Sequence, residues 1–349
     1  MRPSRRALIG LALATTLLVA MLVMVNYSQT PPPLPLPNPN GYDDLIRAGR
    51  LVVQSTNQGT RWNLPALRTQ VATNAEALRL LRLGLSRQCV MPLDTAISNF
   101  ANLSKELAQL KSLSGSLVDE GELAEQEDRP MDAANSYVDS MRVGAAMSHG
   151  GFLINRLVGI ACEAQGNTRL IKLLPKLDCS QLTRLATELE RLDASNVSWP
   201  EVMLSEKRFS RSQMGRFLNP IMLAVSWWES RSSVKAAREK HDLAAGHLRL
   251  LSIELALRAY QCSNGKPAAG LTDLLPNYLQ RIPVDPFSNH GFIYHPGATN
   301  WLLYSLGPDR VDDGGKTFTR TAASALPIGL GSNSARPLLK GDLLFDSTW

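Results

Sequence analysis

The sequence is poor in the side chains that most often carry catalysis. It contains five histidines in 349 residues, and His241 and His247 stand six positions apart, which places them on different faces of a helix. It also lacks the Gly-x-Ser-x-Gly nucleophile motif, the Walker loop, the dinucleotide fingerprint and the His-Glu-x-x-His zinc motif. These absences argue against the common enzyme classes, although residues distant in sequence could still converge on a site.

Cysteine is also scarce, and its spacing excludes the usual zinc motifs. The four cysteines, Cys89, Cys162, Cys179 and Cys262, form no Cys-x-x-Cys pair and have no histidine at metal-ligand spacing. An exported location would permit two disulfides, and a Cys162–Cys179 bridge between successive helices is one option. Four cysteines allow three pairings, and single buried thiols are the alternative.

The chain also has no strong excess of positive charge. The formal net charge is +6 at pH 7, and three arginines among the first six residues supply half of it. The remainder is too small and too dispersed for a nucleic-acid partner. The one basic cluster is interpreted as a solvated helix face, with a polyanion or lipid-headgroup contact as the alternative: Lys207, Arg208, Arg211 and Arg216. No motif identifies a small-molecule substrate.

A long apolar run stands near the amino terminus. The nineteen residues Ala7–Val25 carry no charge, and that length just spans a bilayer core of about 30 Å at about 1.5 Å per residue. Arginines precede the run, so the positive-inside bias places the rest of the chain outside the cytoplasm. No Ala-x-Ala cleavage pattern follows it. We predict a cytoplasmic stub and an uncleaved single-pass anchor over residues 1–27 in the inner (cytoplasmic) membrane, with the bulk of the chain periplasmic.

A proline-rich segment and a helical region follow the predicted anchor. The prolines of Pro31–Pro39 enforce an extended backbone, which predicts a stalk over residues 28–41. Helical periodicity then dominates and predicts a helical-hairpin domain over residues 42–245. One hairpin, Leu123–Val138, weakly resembles a tetratricopeptide half-repeat, with a small residue on its first helix and Tyr137 on its second. Stacked helix pairs commonly present concave surfaces to protein partners.

The segment Asp242–Gln261 is apolar on two faces. A helix that is apolar on both sides must be buried on both sides. We therefore predict that this helix is shared, packing on the helical domain with one face and on a terminal α+β module, residues 246–349, with the other. The expected fold class is mainly α (α+β), with a small carboxy-terminal antiparallel sheet on a long helix.

Two motifs follow the long helix, Pro283-Val-Asp-Pro-Phe287 and Tyr304-Ser-Leu-Gly-Pro-Asp309. Their order resembles the carboxy-terminal half of the type II secretion major pseudopilin (G-type), in which a long helix precedes a small sheet and a calcium loop. Alternating residues predict strands at 292–295 and 301–306, with a third at 342–345. The layout of the whole chain resembles a family of membrane-anchored bacterial envelope proteins. Because the chain lacks the pseudopilin Gly-Phe-Thr-Leu-x-Glu processing site, assembly into a pilus is not expected.

The segment Asp309-Arg-Val-Asp-Asp-Gly-Gly315 gathers three carboxylates beside two glycines. Clustered carboxylates on a sharply turning backbone suit a hard cation such as calcium, although the spacing is not that of an EF-hand. The resemblance implies calcium held between this loop and a later acidic residue. The candidate ligands are Asp309, Asp312, Asp313 and Asp342, and an ordinary solvated Asp-Gly turn is the alternative. No other cofactor is expected.

Two functions remain open at this point. The favoured one is a membrane-tethered extracytoplasmic scaffold or protein-interaction protein of the cell envelope, related to secretion, with an envelope protein as its partner. The alternative is an envelope hydrolase whose site lies in the helical domain. That alternative requires carboxylates and a histidine to converge, with Glu201, Glu206 and His241 as the candidates.

Overall fold

The computed structural model describes residues 15–17, 34–54, 63–93, 100–214, 220–317 and 341–347 of the chain. These residues are mainly helical and include one two-stranded antiparallel sheet, which confirms the expected fold class at this level. Of the predicted anchor Ala7–Val25, only Thr15–Leu17 is described, and it is helical. No helix in the described part of the chain is long and apolar enough to cross a bilayer. The rest of the predicted anchor lies outside the described residues.

The main elements of the described residues are nine helices, two short 3-10 turns and two strands. The helices are α1 Gly41–Leu51, α2 Leu64–Thr73, α3 Ala75–Leu85, α4 Phe100–Gln126, α5 Pro130–Ser148, α6 Leu153–Leu173, α7 Cys179–Ser195, α8 Trp199–Met214 and α9 Pro220–Asn264. Short 3-10 turns at Leu174–Lys176 and Leu271–Leu274 follow α6 and α9, and the strands are β1 Ile293–Pro296 and β2 Trp301–Tyr304. The described part of the predicted stalk, Leu34–Asn40, has no regular structure.

Side-chain caps explain where two of the helices begin. Asn40 precedes α1, and its Oδ1 accepts a hydrogen bond of 3.1 Å from the backbone N–H of Tyr42. Asp178 precedes α7, and its carboxylate accepts from the N–H of Gln181 at 2.9 Å while the Gln181 side chain accepts from the Asp178 N–H at 3.1 Å. This reciprocal capping box satisfies two amide groups that the first turn would leave unpaired.

The first hydrophobic core lies among α1, α3, α4, α5 and the start of α6. Leu45 of α1, Leu81 of α3 and Leu110 of α4 are completely buried in it. Leu103 and Leu107, which share a face of α4 with Leu110, are buried as well. One apolar stripe of this helix is therefore buried against the neighbouring helices.

The second core joins α5, α6, α7 and α9 to the terminal module. Residues of both predicted apolar faces of α9 belong to it, and six of them are at most 4% exposed: Leu248, Leu251 and Leu255 on one side, and Leu250, Ile253 and Leu257 on the other. At the far end of the two faces, Tyr260 is only partly buried and Cys262 is exposed. This confirms that the long helix is shared between the two parts. The predicted boundary between residues 245 and 246 falls inside one continuous helix and at the edge of one core.

Helices α4, α5 and α6 pack as successive antiparallel neighbours, and glycines set their separation. Gly121 of α4, just before the predicted hairpin Leu123–Val138, lies against the ring of Tyr137 of α5. Gly144 of α5 and Gly159 of α6 face each other so closely that a Cβ on either would meet the other's backbone carbonyl. Helix α6 continues through Gly166 to Leu173, and Gly166 packs against the backbone of α5 at Tyr137.

The terminal module contains a β-hairpin that lies against α9. Strands β1 and β2 pair with Ile293 opposite Tyr304, which confirms the predicted hairpin. The predicted third strand is reduced to isolated bridges, one joining Ser305 to Leu343. The 3-10 turn that precedes the hairpin ends at Leu274, because Pro276 favours the extended conformation found at Leu275.

A disulfide joins Cys179, the first residue of α7, to Cys262 near the end of α9, with 5.6 Å between the two Cα atoms. The alternative bridge between Cys162 and Cys179 is therefore wrong. Cys162 is a free and completely buried thiol of α6, and Cys89 is also free and buried. Helices α7 and α9 run antiparallel and form one of the larger helix contacts in the described chain, so helices far apart in sequence bring the two bridged cysteines together.

Two Gly→Ala substitutions are expected to change stability in opposite directions. A Cβ at Gly159 would meet the backbone of α5, whereas a Cβ at Gly115 of α4 would have no atom within 4 Å. Gly159→Ala is expected to destabilise the protein by about 1–3 kcal/mol through overpacking. Gly115→Ala is expected to stabilise it by about 0.4–1 kcal/mol, because alanine restricts the unfolded chain and favours the helix. Thermal or urea unfolding of the two variants measures both effects, and shifts of the same sign would contradict the packing described.

Candidate functional site

Asp285 connects the two motifs of the terminal module. Its side chain is 1% exposed, and its Oδ1 accepts hydrogen bonds from the backbone N–H of Phe287 at 3.0 Å and from the hydroxyl of Ser305 at 2.8 Å. The Ser305 oxygen in turn accepts from the N–H of Gly307 at 3.2 Å. The Asp-Pro-Phe and Tyr-Ser-Leu-Gly-Pro-Asp motifs are therefore two sides of one buried hydrogen-bonded unit.

The loop that follows this unit carries the predicted calcium ligands. Asp312 Oδ1 accepts from the hydroxyl of Tyr304 at 2.9 Å and from the N–H of Gly314 at 2.9 Å. Asp309 Oδ2 accepts from the N–H of Gly341 at 3.1 Å. These carboxylates shape the loop and hold the returning chain, which is the role of the alternative Asp-Gly turn.

Asp342 returns to this loop from the far end of the chain and is completely buried. Its Oδ2 accepts from the N–H groups of Asp313 at 3.1 Å and Gly315 at 2.7 Å. Its Oδ1 is buried and has no hydrogen-bond partner among the described residues. Burial, together with the nearby charges of Asp312 and Asp313, raises the pKa of the Asp342 carboxyl. One oxygen of this buried carboxyl therefore receives no hydrogen bond from the described residues, and it lies near the negative charges of Asp312 and Asp313.

The fit of this loop to calcium is partial. The unpartnered oxygen of Asp342 is an atom that a cation could satisfy. However, the described residues contain no group of three or more carboxylate, thiol or imidazole side chains arranged to hold a metal ion. The structure brings the four predicted aspartates into one loop region but directs their oxygens mainly to backbone N–H groups. Calcium binding stays a prediction.

A second cluster of charged groups lies inside the helical region and was missed by sequence reasoning. Arg156 of α6 is 1% exposed, and its guanidinium donates to Glu163 through both terminal nitrogens, at 3.2 Å for the Nη2–Oε2 pair. Its Nε donates to His241 Nδ1 at 3.0 Å, and Nη1 donates to Asn196 Oδ1 at 3.4 Å. The sequence did contain a signal for this ion pair, because the seven-residue spacing of Arg156 and Glu163 puts both side chains on one face of a helix.

Burial and the neighbouring arginine keep the imidazole of His241 neutral. Burial, followed by the positive charge of Arg156, lowers the pKa of His241 to about 3. The imidazole is therefore neutral at physiological pH, and its Nδ1 is occupied as a hydrogen-bond acceptor. The ring also lies beside Trp199, with 5.6 Å between the ring centroids. His241 of α9 thus links α6, through its hydrogen bond with Arg156, to α8, through its contact with Trp199.

The three residues proposed for a hydrolase have separate partners. Glu201 accepts from the N–H and the hydroxyl of Ser198, at 2.8 and 2.7 Å, and caps its own helix. Glu206 accepts from the N–H of Leu153 at 2.9 Å, which caps the start of α6. Within the described residues no hydrogen bond or ion pair joins either glutamate to His241. Each side chain has a structural role that accounts for its position.

No protein-family model, curated protein or solved structure matches the chain. The resemblance to the pseudopilin therefore rests on the two terminal motifs and their order.

Asp285→Ala is expected to destabilise the protein because it removes the acceptor of two buried donors, the Phe287 N–H and the Ser305 hydroxyl. Leaving buried donors unsatisfied costs about 1–3 kcal/mol, so the unfolding midpoint should fall clearly. Ser305→Ala is the matched control, since it removes one partner and leaves Asp285 bonded to Phe287; its effect should be smaller. A midpoint for Asp285→Ala equal to that of the unsubstituted protein would show that the two motifs are not energetically connected.

The calcium hypothesis predicts that millimolar calcium raises the thermal midpoint above its value in chelator, because a ligand that binds only the native state stabilises it. Asp342→Asn should abolish that rise, and the exposed Asp346→Asn should leave it unchanged. Differential scanning calorimetry of the three proteins in both conditions makes the comparison. Equal midpoints for the unsubstituted protein would eliminate a strong calcium site and leave Asp342 as an internal acceptor.

Proposed function

We propose that this chain is a protein-interaction scaffold of the cell envelope, tethered by its amino-terminal apolar segment and standing outside the cytoplasm. Its role is to hold a helical binding surface at a fixed distance from the membrane for an envelope protein partner. The pseudopilin-like order of the terminal motifs supports a connection with secretion. The observation that carries the proposal is the Cys179–Cys262 disulfide.

The disulfide supports an extracytoplasmic location because structural disulfides form and persist in oxidising compartments and are rare in the cytosol. It closes a long loop, since the two cysteines are 83 residues apart in sequence. In the chain-entropy model, closing a loop of that length restricts the unfolded state and stabilises the fold by about 4.5 kcal/mol. A cytosolic protein would lose this contribution, because its thiols are kept reduced.

Polar contacts on α7 reinforce the same connection and support a rigid scaffold. Glu190 accepts from the N–H groups of Gln280 and Arg281, each at 3.0 Å at the closest oxygen. Arg249 of α9 pairs with Asp193 at 2.9 Å and also donates to the carbonyl of Val284 at 2.9 Å. Helix α7 is thus tied to α9 and to the terminal module by a disulfide, ionic contacts and a shared core. Such ties suit a scaffold because they fix the position of the terminal module relative to a partner that is bound to the helical region.

An interaction role also agrees with the chemistry of the charged groups described so far. The buried ion pair of Arg156 and Glu163 is fully occupied within the fold, and burial, followed by the charge of Arg156, keeps His241 neutral. Glu201 and Glu206 cap helices. None of these groups is free to act as a nucleophile or general acid in the arrangement observed, so the hydrolase alternative gains no support from them.

Counting thiols in protein from intact cells tests the proposed location. Cells are lysed in denaturant with a maleimide reagent that adds mass to each free thiol. We expect two thiols to react without reductant and four after reduction, because Cys179 and Cys262 are bridged and Cys89 and Cys162 are free.

The matched control is a Cys179→Ala, Cys262→Ala double variant, which should show two reactive thiols with or without reductant. Four reactive thiols in the unsubstituted protein before reduction would mean that the chain resides in a reducing compartment. That result would overturn the proposed extracytoplasmic role.

A further inference from the structure

The Cys179–Cys262 disulfide lies at the surface of the protein. Cys262 is exposed, and it begins a run of five exposed residues that ends at Lys266. Cys179 is partly buried and stands between the exposed residues Asp178 and Ser180. Exposed disulfides exchange with thiols more readily than disulfides enclosed in a core, and they are commonly the regulatory ones. The position of this bridge therefore makes it open to thiol chemistry in the folded protein.

The two free thiols are kept away from this chemistry. Cys162 of α6 is completely buried, and Cys89 is 8% exposed. Burial raises the pKa of each thiol to about 11, so both are protonated at neutral pH. The thiolate is the form that attacks a disulfide. Thiol exchange on the folded chain is therefore confined to Cys179 and Cys262.

The two sulfurs of the bridge are not equivalent. An incoming thiolate reaches Cys262 more easily, because Cys262 is exposed whereas Cys179 is partly buried. The sulfur that leaves is then that of Cys179, the first residue of α7. The amino end of a helix favours negative charge, and a leaving thiolate that is stabilised in this way departs faster. Accessibility and helix position thus both select Cys262 as the sulfur that is attacked.

Other contacts hold the two ends that the bridge joins. At the end of α9, Gln261 Nε2 donates to the carbonyl of Thr299 at 2.8 Å, and Tyr260 packs edge-on against Tyr278 with 5.7 Å between the ring centroids. At the start of α7, Leu182 belongs to the second hydrophobic core. Opening the bridge therefore releases the first turn of α7 from the last turn of α9, while each helix keeps its own attachment to the fold.

We propose that the Cys179–Cys262 bridge is a redox-sensitive switch that opens by thiol–disulfide exchange at the sulfur of Cys262. The reductant is a thiol. Its thiolate attacks Cys262 Sγ, the S–S bond breaks, and Cys179 leaves as a thiolate that takes a proton from water.

A second thiolate of the reductant then attacks the reductant sulfur bound to Cys262, and Cys262 leaves and is protonated in the same way. Two thiols of the reductant are oxidised to one disulfide, and the protein bridge gains two electrons and two protons. The proposal goes beyond the scaffold function and requires only the bridge itself.

Reduced glutathione, added to the folded full-length protein, tests which sulfur is attacked. The reaction is stopped with acid, free thiols are blocked with a maleimide in denaturant, and the cysteine peptides are identified by mass spectrometry. We expect glutathione on Cys262 and maleimide on Cys179, with about a tenfold preference for this arrangement over the reverse. Glutathione mainly on Cys179, an equal distribution, or a bridge that reacts only in denaturant would overturn the proposal.

Hydrogen exchange at short labelling times tests what the opening changes. Reduction should increase labelling in the first turn of α7 and the last turn of α9, while the buried stretch Leu248–Leu257 stays unlabelled in both forms. The matched control is the Cys179→Ala, Cys262→Ala double variant, which should show the reduced pattern without reductant.

Labelling of Leu248–Leu257 at these times in the reduced protein would show that the bridge holds the whole fold and is not a local switch. Unchanged labelling at both helix ends would also overturn the proposal, because opening would then have no structural effect. Both tests use purified protein. Their failure leaves the extracytoplasmic scaffold role standing, since thiol counting in intact cells tests that role separately.

Discussion

The burial of α9 on both sides is the constraint on which the rest of the structure depends. From Leu248 to Ala259 its apolar side chains are covered by α6 and α7 on one side and by the terminal module on the other. The few polar groups in this stretch are paired, as when Glu254 accepts from the indole N–H of Trp301 at 2.8 Å. Because neither part can cover this helix alone, the helical region and the sheet are stabilised together.

The disulfide and the Asp285 unit act at opposite ends of the same assembly. Cys179 and Cys262 hold the start of α7 to the end of α9, whereas Asp285 and Ser305 hold the two motifs of the terminal module to each other. Between them, Arg249 and Glu190 join α7 and α9 to the segment that leads into the sheet. This distribution of covalent, ionic and apolar contacts ties α7, α9 and the terminal module into one body.

Sequence patterns correctly predicted the elements that follow from residue periodicity. They failed for the features that depend on contacts between residues far apart in the chain. The two-faced pattern of Asp242–Gln261 and the alternation around Trp301 correctly predicted a shared helix and a hairpin, because period and burial are linked directly. Gly166 does not end α6, since its role is to let α5 approach. The cysteine pairing was not predictable because only the tertiary fold brings Cys179 and Cys262 together. For the acidic loop, the sequence supplied the four aspartates but not the N–H groups to which their oxygens are directed.

Protease access in spheroplasts measures most directly whether this body stands outside the cytoplasm. Protease is added to spheroplasts that carry the full-length chain, and a cytosolic protein and a periplasmic protein are followed in the same sample. An extracytoplasmic body predicts that the full-length chain disappears while the cytosolic protein survives. A chain that survives intact until the spheroplasts are lysed, and is then digested, would contradict the proposed location and with it the scaffold function.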